Sequence, residues 1–389
     1  MHPAAAEPYM PSEGTEVLDN LAFDLAREAS ELSGQLHPLV RLSVGELVRS
    51  MNCYYSNLIE GHNTHPRDID RALSADYSAD PQKRDLQLEA RAHIEVQRMI
   101  DAHAYTVAPA SRAFIEWTHR EFCTRLPPSL LVAEKNADTR ERLEVIPGVL
   151  RTRAVAVGRH VPPSAEYIPA FLRRFEEAYD CNRLTKARQT IAVAAAHHRL
   201  LWIHPFLDGN GRVARLMSHA MLLDLGIGSA LWSVSRGLAR RSSDYKRLLM
   251  AADEPRRGDL DGRGALSHSA LVEFCVFFLE SCLDQVRYMR ELLDPGELLR
   301  RMELYVRDEE EAGRLPRRSF PVLRETLLAG ELDRRRVPGL VDASERTARR
   351  LISSLVKLRL LVADSHRAPL RLGFPVQVVD RWFPRLYPV

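Results

Sequence analysis

Apolar residues recur at helical spacing over most of this 389-residue chain, and this periodicity limits the fold more than any other feature. One example is the run of Leu47, Met51, Tyr54 and Leu58, whose large side chains share one face of a helix. The helical period is broken over residues 148–163, where alternating valines favour a short β-hairpin. The sequence therefore predicts a mainly α-helical protein with one small β element.

The composition is typical of a globular protein, with 45% hydrophobic and 28% charged residues. No apolar run approaches the roughly 18–20 residues that a membrane-spanning helix needs. The N-terminus is polar and acidic, unlike a secretion signal, and we expect residues 1–15 to be disordered. The five cysteines are scattered without a CxxC pair, which is typical of reduced thiols. We therefore expect a cytoplasmic protein that does not enter the membrane.

Charge is unevenly distributed along the chain. Residues 312–389 contain 16 Lys and Arg against 7 Asp and Glu, whereas the remainder contains 39 against 45. A basic C-terminal segment on an acidic body indicates a separate module with a partner of its own.

The segment HPFLDGNGRVAR, residues 204–215, is the part of the sequence that points to a chemistry. It has the pattern of a helix end, a tight polar loop and a new helix start. Gly209 and Gly211 can adopt positive φ and let the backbone approach a ligand, and Asn210 between them tolerates the same region. The unpaired N–H groups that open the next helix favour an anion.

Side chains around this loop suit the transfer of a phosphorus group. Arg212 and Arg215 are three residues apart on a helix, so both guanidinium groups can face one anion. Asp208 is a hard oxygen ligand suited to Mg²⁺ on a polyphosphate. His204 has a ring whose pKa lies near working pH, as a general base requires. The structural alternative is a Gly-rich connection whose Asp and Asn only cap a helix.

The segment resembles the Fic signature HxFx(D/E)GNGRxxR. It matches that signature at every defined position, namely His204, Phe206, Asp208, Gly209, Asn210, Gly211, Arg212 and Arg215. The resemblance implies an enzyme that transfers AMP from ATP to a Ser, Thr or Tyr hydroxyl of a target protein or of the chain itself. It also implies His204 as the base and Asp208 as the Mg²⁺ ligand. Asn210 and the loop amides would contact the α- and β-phosphates, Arg212 the β-phosphate and Arg215 the γ-phosphate.

A segment upstream of the signature extends the resemblance. Residues 155–160, VAVGRH, are similar to the Fic flap, which holds the target segment by main-chain hydrogen bonds. Four of them would lie nearest the nucleotide: Val157, Gly158, Arg159 and His160. An ordinary surface hairpin is the alternative.

Two positions bear on the base and on the transferred group. Tyr245 fits the second of two tyrosines that face adenine in the family, but Asp244 stands in place of the first, and core packing of Tyr245 is an equal alternative. Gly211 stands where the kinase branch of the family usually has lysine, which favours nucleotidyl transfer. Removal of AMP, or transfer of another phosphate-containing group, is the alternative reaction.

The segment SNLIEG, residues 56–61, suggests a restraint on the enzyme. Ser56 and Glu60 are four residues apart on one helix face, and Gly61 suits the position just after the helix. Such spacings are usually solvated. In a chain with the Fic signature, however, the segment resembles the inhibitory motif (S/T)xxxE(G/N). The resemblance implies that Glu60 pairs with Arg215 and blocks the place of the γ-phosphate.

The C-terminal residues 319–389 resemble a winged helix-turn-helix. Three helices and two wing strands are predicted, near 322–328, 333–337, 345–358, 360–362 and 370–372. Ser344 is the predicted N-cap of the third helix, whose exposed face would carry Arg346, Arg349 and Arg350. DNA is therefore a candidate partner, with dimerisation or target docking as the alternative. The rival function of another class is a DNA-binding regulator whose Fic core senses a nucleotide.

These observations predict four regions. They are an N-terminal helical region with the inhibitory helix at 1–109, a Fic catalytic core at 110–285, a helical linker at 286–318 and the winged-helix-like domain at 319–389. The expected protein is a homodimer that uses ATP and Mg²⁺.

Overall fold

The computed structural model describes residues 2–134, 142–228 and 230–387. These described residues form sixteen α-helices and four short strands, so the predicted mainly helical fold class is confirmed. None of the described helices combines the length and the apolar character needed to cross a lipid bilayer.

The chain divides into two compact units. The first comprises Met1–Ala29, Asn52–Ser229 and Ser233–Gln285, and the second comprises Ser30–Met51, Ala230–Trp232 and Val286–Val389. The four regions predicted from sequence remain a prediction.

Eleven α-helices lie between residues 16 and 292, most of them within the first unit. They are α1 Glu16–Gln35, α2 Pro38–Ile59, α3 Pro66–Leu73, α4 Pro81–Asp101, α5 Arg112–Cys123, α6 Ile168–Ala178, α7 Lys186–Ile203, α8 Asn210–Asp224, α9 Val234–Arg240, α10 Ser242–Ala252 and α11 His268–Leu292.

Helices α7 and α8 pack against each other at the centre of the first unit. Helix α7 begins where the Thr185 hydroxyl accepts a hydrogen bond from the Arg188 N–H at 3.3 Å, a normal N-cap. Its middle is a run of small and β-branched residues, IAVAAA at 191–196, with at most 1% of any side chain exposed. Small side chains let a neighbouring helix approach closely, so this pair forms a rigid base for the loop between them.

Residues 2–15 are ordered, which corrects the expectation of disorder over residues 1–15 for the described part of that segment. Pro3–Ala6 form a 3₁₀ turn, and Tyr9 is 1% exposed. The fully buried Arg199 donates two hydrogen bonds to the Pro8 carbonyl, at 3.0 and 2.8 Å, and the Tyr179 hydroxyl donates to the Tyr9 carbonyl at 2.7 Å. The expectation was wrong because local polarity says nothing about these distant partners.

Regular β structure in the first unit lies before the segment where it was predicted. Strands β1 Val132–Glu134 and β2 Arg142–Glu144 pair antiparallel, with Ala133 opposite Leu143. Over residues 148–163 there is a single β-bridge, between Val157 and His160. The predicted hairpin is thus reduced to one tight turn. Prolines at positions 147, 162 and 163 supply no N–H donors, which prevents a longer ladder.

The second unit contains the remaining elements. They are α12 Pro295–Glu311, α13 Ser319–Ala329, α14 Val337–Leu340, α15 Glu345–Lys357, β3 Leu361–Val362, β4 Arg371–Leu372 and α16 Val376–Trp382. The predicted N-cap is confirmed, since the Ser344 hydroxyl accepts from the Thr347 N–H at 3.3 Å. Strands β3 and β4 pair antiparallel, at the positions predicted for the wing strands. The winged-helix assignment itself remains a prediction.

Candidate active site

The loop between α7 and α8 is a tight turn made by two residues with positive φ. His204 follows the last residue of α7 with φ 49° and ψ 64°, and its N–H still donates to the Leu200 carbonyl at 3.0 Å. Gly209 has φ 78° and stands directly before Asn210, the first residue of α8. A histidine in the left-handed region is uncommon, and here it ends one helix so that the chain can turn into the next.

An amide side chain closes the loop on itself. The Asn210 side-chain oxygen accepts from the Phe206 N–H, and its Nδ2 donates to the Phe206 carbonyl, both at 2.9 Å. Asn210 is 2% exposed and Phe206 is fully buried. The polar atoms of the Asn210 side chain are therefore engaged within the loop, which leaves backbone N–H groups for an anion.

His119 on α5 packs against the loop. Its ring stacks on Phe206 with centroids 3.8 Å apart and planes 3° apart. The Gly148 N–H donates to Nδ1 at 2.8 Å, so Nε2 carries the proton and donates to the Asp208 carbonyl at 3.2 Å. Burial lowers the pKa of His119 to about 4, so the ring is neutral and keeps this bonding pattern at neutral pH.

Burial also holds the His204 ring in its neutral form. Burial first, and then the nearby Arg151 and His160, lower the pKa of His204 to about 4. Arg151 is 3% exposed, and its Nε donates to the His204 carbonyl at 2.7 Å while Nη2 donates to the Pro163 carbonyl at 2.6 Å. A neutral imidazole can accept a proton, so His204 has the protonation state of a general base.

Asp208 is the exposed carboxylate of the loop. Its Oδ1 accepts from the Gly209 N–H at 2.6 Å, and its second oxygen accepts no hydrogen bond from the described residues. Within the described ranges, no group of three or more His, Cys, Asp or Glu side chains is placed to hold a metal ion. A single hard carboxylate fits Mg²⁺, which commonly takes one or two carboxylates and completes its shell with phosphate and water oxygens.

A carboxylate already occupies the place at the first turn of α8 where a bound anion would lie. Glu60 forms a salt bridge with Arg215 and lies so close to Gly211 that a methyl group there would overlap its Oε1. The Ser56 hydroxyl accepts from Arg215 Nε at 2.9 Å. Burial would raise the pKa of Glu60, but Arg215 and then Arg212 outweigh it and hold the pKa below its ordinary value.

Arg212 has a separate partner that the sequence did not reveal. It forms a salt bridge with Glu89 on α4, a carboxylate that is 2% exposed. The same carboxylate is 2.8 Å from His62 Nδ1. The hydrogen bond that His62 donates to this carboxylate raises the pKa of His62 even though burial opposes it. The two arginines of the signature are thus each paired with a carboxylate from a different helical segment.

The predicted flap residues lie beside the same loop. Val157 and His160 exchange two backbone hydrogen bonds of 3.0 Å around Gly158, which has φ 59°. His160 Nε2 is 2.8 Å from the Trp202 carbonyl near the end of α7, and Val157 and Arg159 are exposed. This contact fixes the turn against the helix that ends at the candidate base.

Tyr245 on α10 lies inside the core, with 3% of its surface exposed. Its hydroxyl is 2.7 Å from His197 Nε2. Because the Ser218 hydroxyl donates to the Ala214 carbonyl, it accepts from His197 Nδ1–H, and the Tyr245 hydroxyl is the donor to Nε2. This position favours the packing alternative for Tyr245 over contact with a base.

Comparisons with known proteins agree with this geometry. Residues 109–222 match the Fic/DOC family model. Over 79 residues the chain is 35% identical to protein adenylyltransferase Fic of Drosophila erecta and 37% identical to that of Drosophila willistoni. The matched stretch is 20% of this chain and spans 16% of each relative's length.

Solved structures share the fold. A Fic family protein from Desulfovibrio desulfuricans G20 superposes with a TM-score of 0.53 at 18% identity, over 94% of this chain and 98% of that one. Fic-1 from C. elegans gives a TM-score of 0.54 at 16% identity, over 72% of this chain and 74% of that one. At these identities the likeness concerns the fold.

Proposed function

Since residues 109–222 form a Fic domain, we propose that this chain transfers AMP from ATP to a hydroxyl side chain of a protein. One observation carries the proposal. A neutral His204 lies beside the N-terminus of α8, and the Glu60 carboxylate occupies the place at that N-terminus where an anion would bind. A site built to hold a carboxylate against two arginines also suits the phosphates of a nucleotide.

The proposed chemistry is one substitution at phosphorus. The hydroxyl oxygen of the target bonds to the α-phosphorus while its proton passes to the His204 ring. The bond from the α-phosphorus to the oxygen bridging the β-phosphate breaks, and pyrophosphate leaves. Arg212 and Arg215 would hold the β- and γ-phosphates, and Asp208 would hold the metal ion. When bound, Mg²⁺ neutralises phosphate charge and orients the leaving group.

Glu60 restrains this reaction by occupying Arg215. While the salt bridge persists, the γ-phosphate lacks its cation and the α-phosphate is not held in line with the hydroxyl. Truncating one partner of a desolvated charge pair costs about 2–5 kcal/mol. We therefore expect Glu60→Gly to increase transfer by about 30-fold to several thousand-fold, since each ~1.4 kcal/mol is tenfold.

The test incubates Glu60→Gly protein with ATP labelled on the α-phosphate, followed by mass spectrometry. Covalent label on protein and an adduct with the mass of AMP are expected. The double variant Glu60→Gly with His204→Ala is the matched control and should carry no label. Parallel incubations with label on the γ-phosphate, or with pre-modified target, separate phosphate transfer and AMP removal from AMP transfer. No nucleotide-derived adduct with Glu60 removed would refute the proposal.

A second role is proposed for the C-terminal unit, where exposed cations cluster on α15. Arg346, Arg350 and Lys357 lie on one exposed face, and Arg349 beside them pairs with Glu345 at 2.8 Å. Such a face suits the phosphates of duplex DNA. DNA association whose strength falls steeply with salt is expected, and a protein that binds no duplex at low salt would leave dimerisation or target docking as the role.

A further inference from the structure

The two arginines of the candidate site differ in how their carboxylate partners are held. Arg215 pairs with Glu60, which directly follows the last residue of α2 and is 31% exposed. Arg212 pairs with Glu89, which lies inside α4 and is 2% exposed. Both carboxylates are therefore close to the same helix start, but from very different surroundings.

The burial of each carboxylate decides whether it can move away from its arginine. Glu60 can withdraw when the end of α2 shifts, because one third of its side chain already faces solvent. Glu89 is flanked on α4 by Ala90, Ala92 and His93, each at most 1% exposed. It could leave Arg212 only if α4 itself moved out of the core, which would break many packed contacts.

The surroundings of Arg212 also require a permanent counter-charge. Arg212 is 5% exposed, and its guanidinium packs over the Phe122 ring with its central carbon 5.4 Å from the ring centroid. The neighbouring His93 is buried, its two ring nitrogens have no hydrogen-bond partner among the described residues, and burial lowers its pKa to about 3. A neutral ring offers no compensation for a buried cation, so the Glu89 carboxylate carries that role.

We propose that Glu89 is a positioning residue that keeps the Arg212 guanidinium in place for the nucleotide phosphates and stays paired with it after Glu60 has left. This inference rests on the proposed function. In this arrangement Arg212 and Glu89 together carry no net charge. Arg212 therefore contributes N–H donors in a fixed orientation rather than net positive charge. Arg215, once free of Glu60, contributes the net positive charge.

The proposal predicts a separation between binding and catalysis. Glu89→Gln keeps the size of the side chain but removes its charge, so Arg212 loses its fixed orientation while the site becomes more positive. Misplacement of a positioned group can cost about 10- to 100-fold in rate. We expect the transfer rate to fall by about that factor, while the dissociation constant for ATP stays the same or decreases.

The experiment compares four proteins, all carrying Glu60→Gly so that the competing carboxylate is absent. They are the parent, and the parent with Glu89→Gln, with Glu89→Asp or with Glu95→Gln. Glu95 lies on the same helix and is 32% exposed, in a salt bridge with Arg91, so its variant is the matched control. Single-turnover transfer, ATP binding by calorimetry and thermal unfolding are measured for all four proteins in the same buffer at one pH.

The expected result is slow transfer with retained ATP binding for Glu89→Gln, a smaller loss for Glu89→Asp, which keeps the charge, and parental behaviour for Glu95→Gln. Faster transfer in Glu89→Gln would make Glu89 a second competitor and overturn the proposal. A lowered melting temperature with a parental transfer rate would reduce Glu89 to a structural role and also overturn it.

If Glu89→Gln does not fold, Glu89→Asp decides, since an unchanged rate there contradicts a positioning role. A parent that transfers no AMP refutes the proposed function, whereas equal transfer by parent and Glu89→Gln refutes this inference alone.

Discussion

Glu60 and Arg215 are 155 residues apart in sequence and are joined by a hydrogen-bonded salt bridge over the first turn of α8. Arg215 is 2% exposed, so its charge has little access to water. The partly exposed Glu60 carboxylate therefore neutralises a buried cation at the position where the proposed substrate needs it.

Ser56→Ala should release the restraint in part. The Ser56 hydroxyl accepts from Arg215 Nε at 2.9 Å, and a hydrogen bond to a charged group contributes about 1.5–3 kcal/mol. We expect about tenfold more AMP transfer than in the natural protein and less than in Glu60→Gly, measured by label incorporation from ATP. Ser50→Ala, on the same helix and partly exposed, is the control. A Ser56→Ala protein that stays at the basal rate would show that the hydroxyl does not hold the restraint.

Transfer by the Glu60→Gly protein should vary little between about pH 6 and pH 8. Burial lowers the pKa of His204 to about 4, so the neutral base form is fully present above that pH and is lost only as the pH falls through about 4. Single-turnover rates across this range provide the measurement. A rate that drops tenfold per unit below the ordinary histidine pKa of about 6.5 would show that His204 is not held neutral.

Arg151→Ala should destabilise the protein and slow transfer. The buried guanidinium donates to the carbonyls of Arg153, Pro163 and His204 at 2.6–2.9 Å, and burial lowers the pKa of Arg151 to about 10. Its removal leaves these carbonyls unpaired, at an expected cost of about 2–4 kcal/mol in the free energy of unfolding. Chemical denaturation and label transfer measure both effects.

The exposed Arg153 supplies the control for that experiment. Arg153→Ala keeps the carbonyl that Arg151 contacts and should change stability by less than about 0.5 kcal/mol. Equal stability losses in both variants would mean that the side-chain hydrogen bonds of Arg151 do not hold the segment against the His204 loop.

Arg346→Ala and Arg350→Ala should each weaken association with duplex DNA irrespective of base sequence. Each lost phosphate contact lowers the slope of log affinity against log salt by about one. Fluorescence anisotropy over a salt series measures the slope. Arg300→Ala on α12, an exposed arginine of the same unit, is the control. Unchanged slopes in both α15 variants would place any DNA contact elsewhere.

Much of the local structure was predictable because its causes are local. The helical period, the Ser344 cap and the positions of the wing strands follow from short-range spacing and capping chemistry. The turn after α7 was also predictable, since Gly209 can adopt the positive φ that the turn requires.

The errors arose where distant partners override local preference. Tyr9 sits in a polar segment that looked disordered, yet Tyr179 and Arg199 bind that segment from positions about 170 and 190 residues away. The hairpin predicted over 148–163 is reduced to one bridge, because the Arg151 side chain donates hydrogen bonds to carbonyls that a β-ladder would otherwise use. No sequence pattern marks the contacts of the N-terminal segment or those of Arg151, although the prolines that limit the ladder are visible in the sequence.

By itself the sequence determined the helical class, the loop with its candidate base and its two arginines, and the Ser56–Glu60 spacing, since each depends on residues within one or two helical turns. Tertiary structure alone decided that Glu89, His119 and Arg151 support that loop and that Tyr245 is buried. The physical reason is that desolvation and charge pairing depend on which segments meet in the core, and a buried glutamate looks the same in sequence as an exposed one.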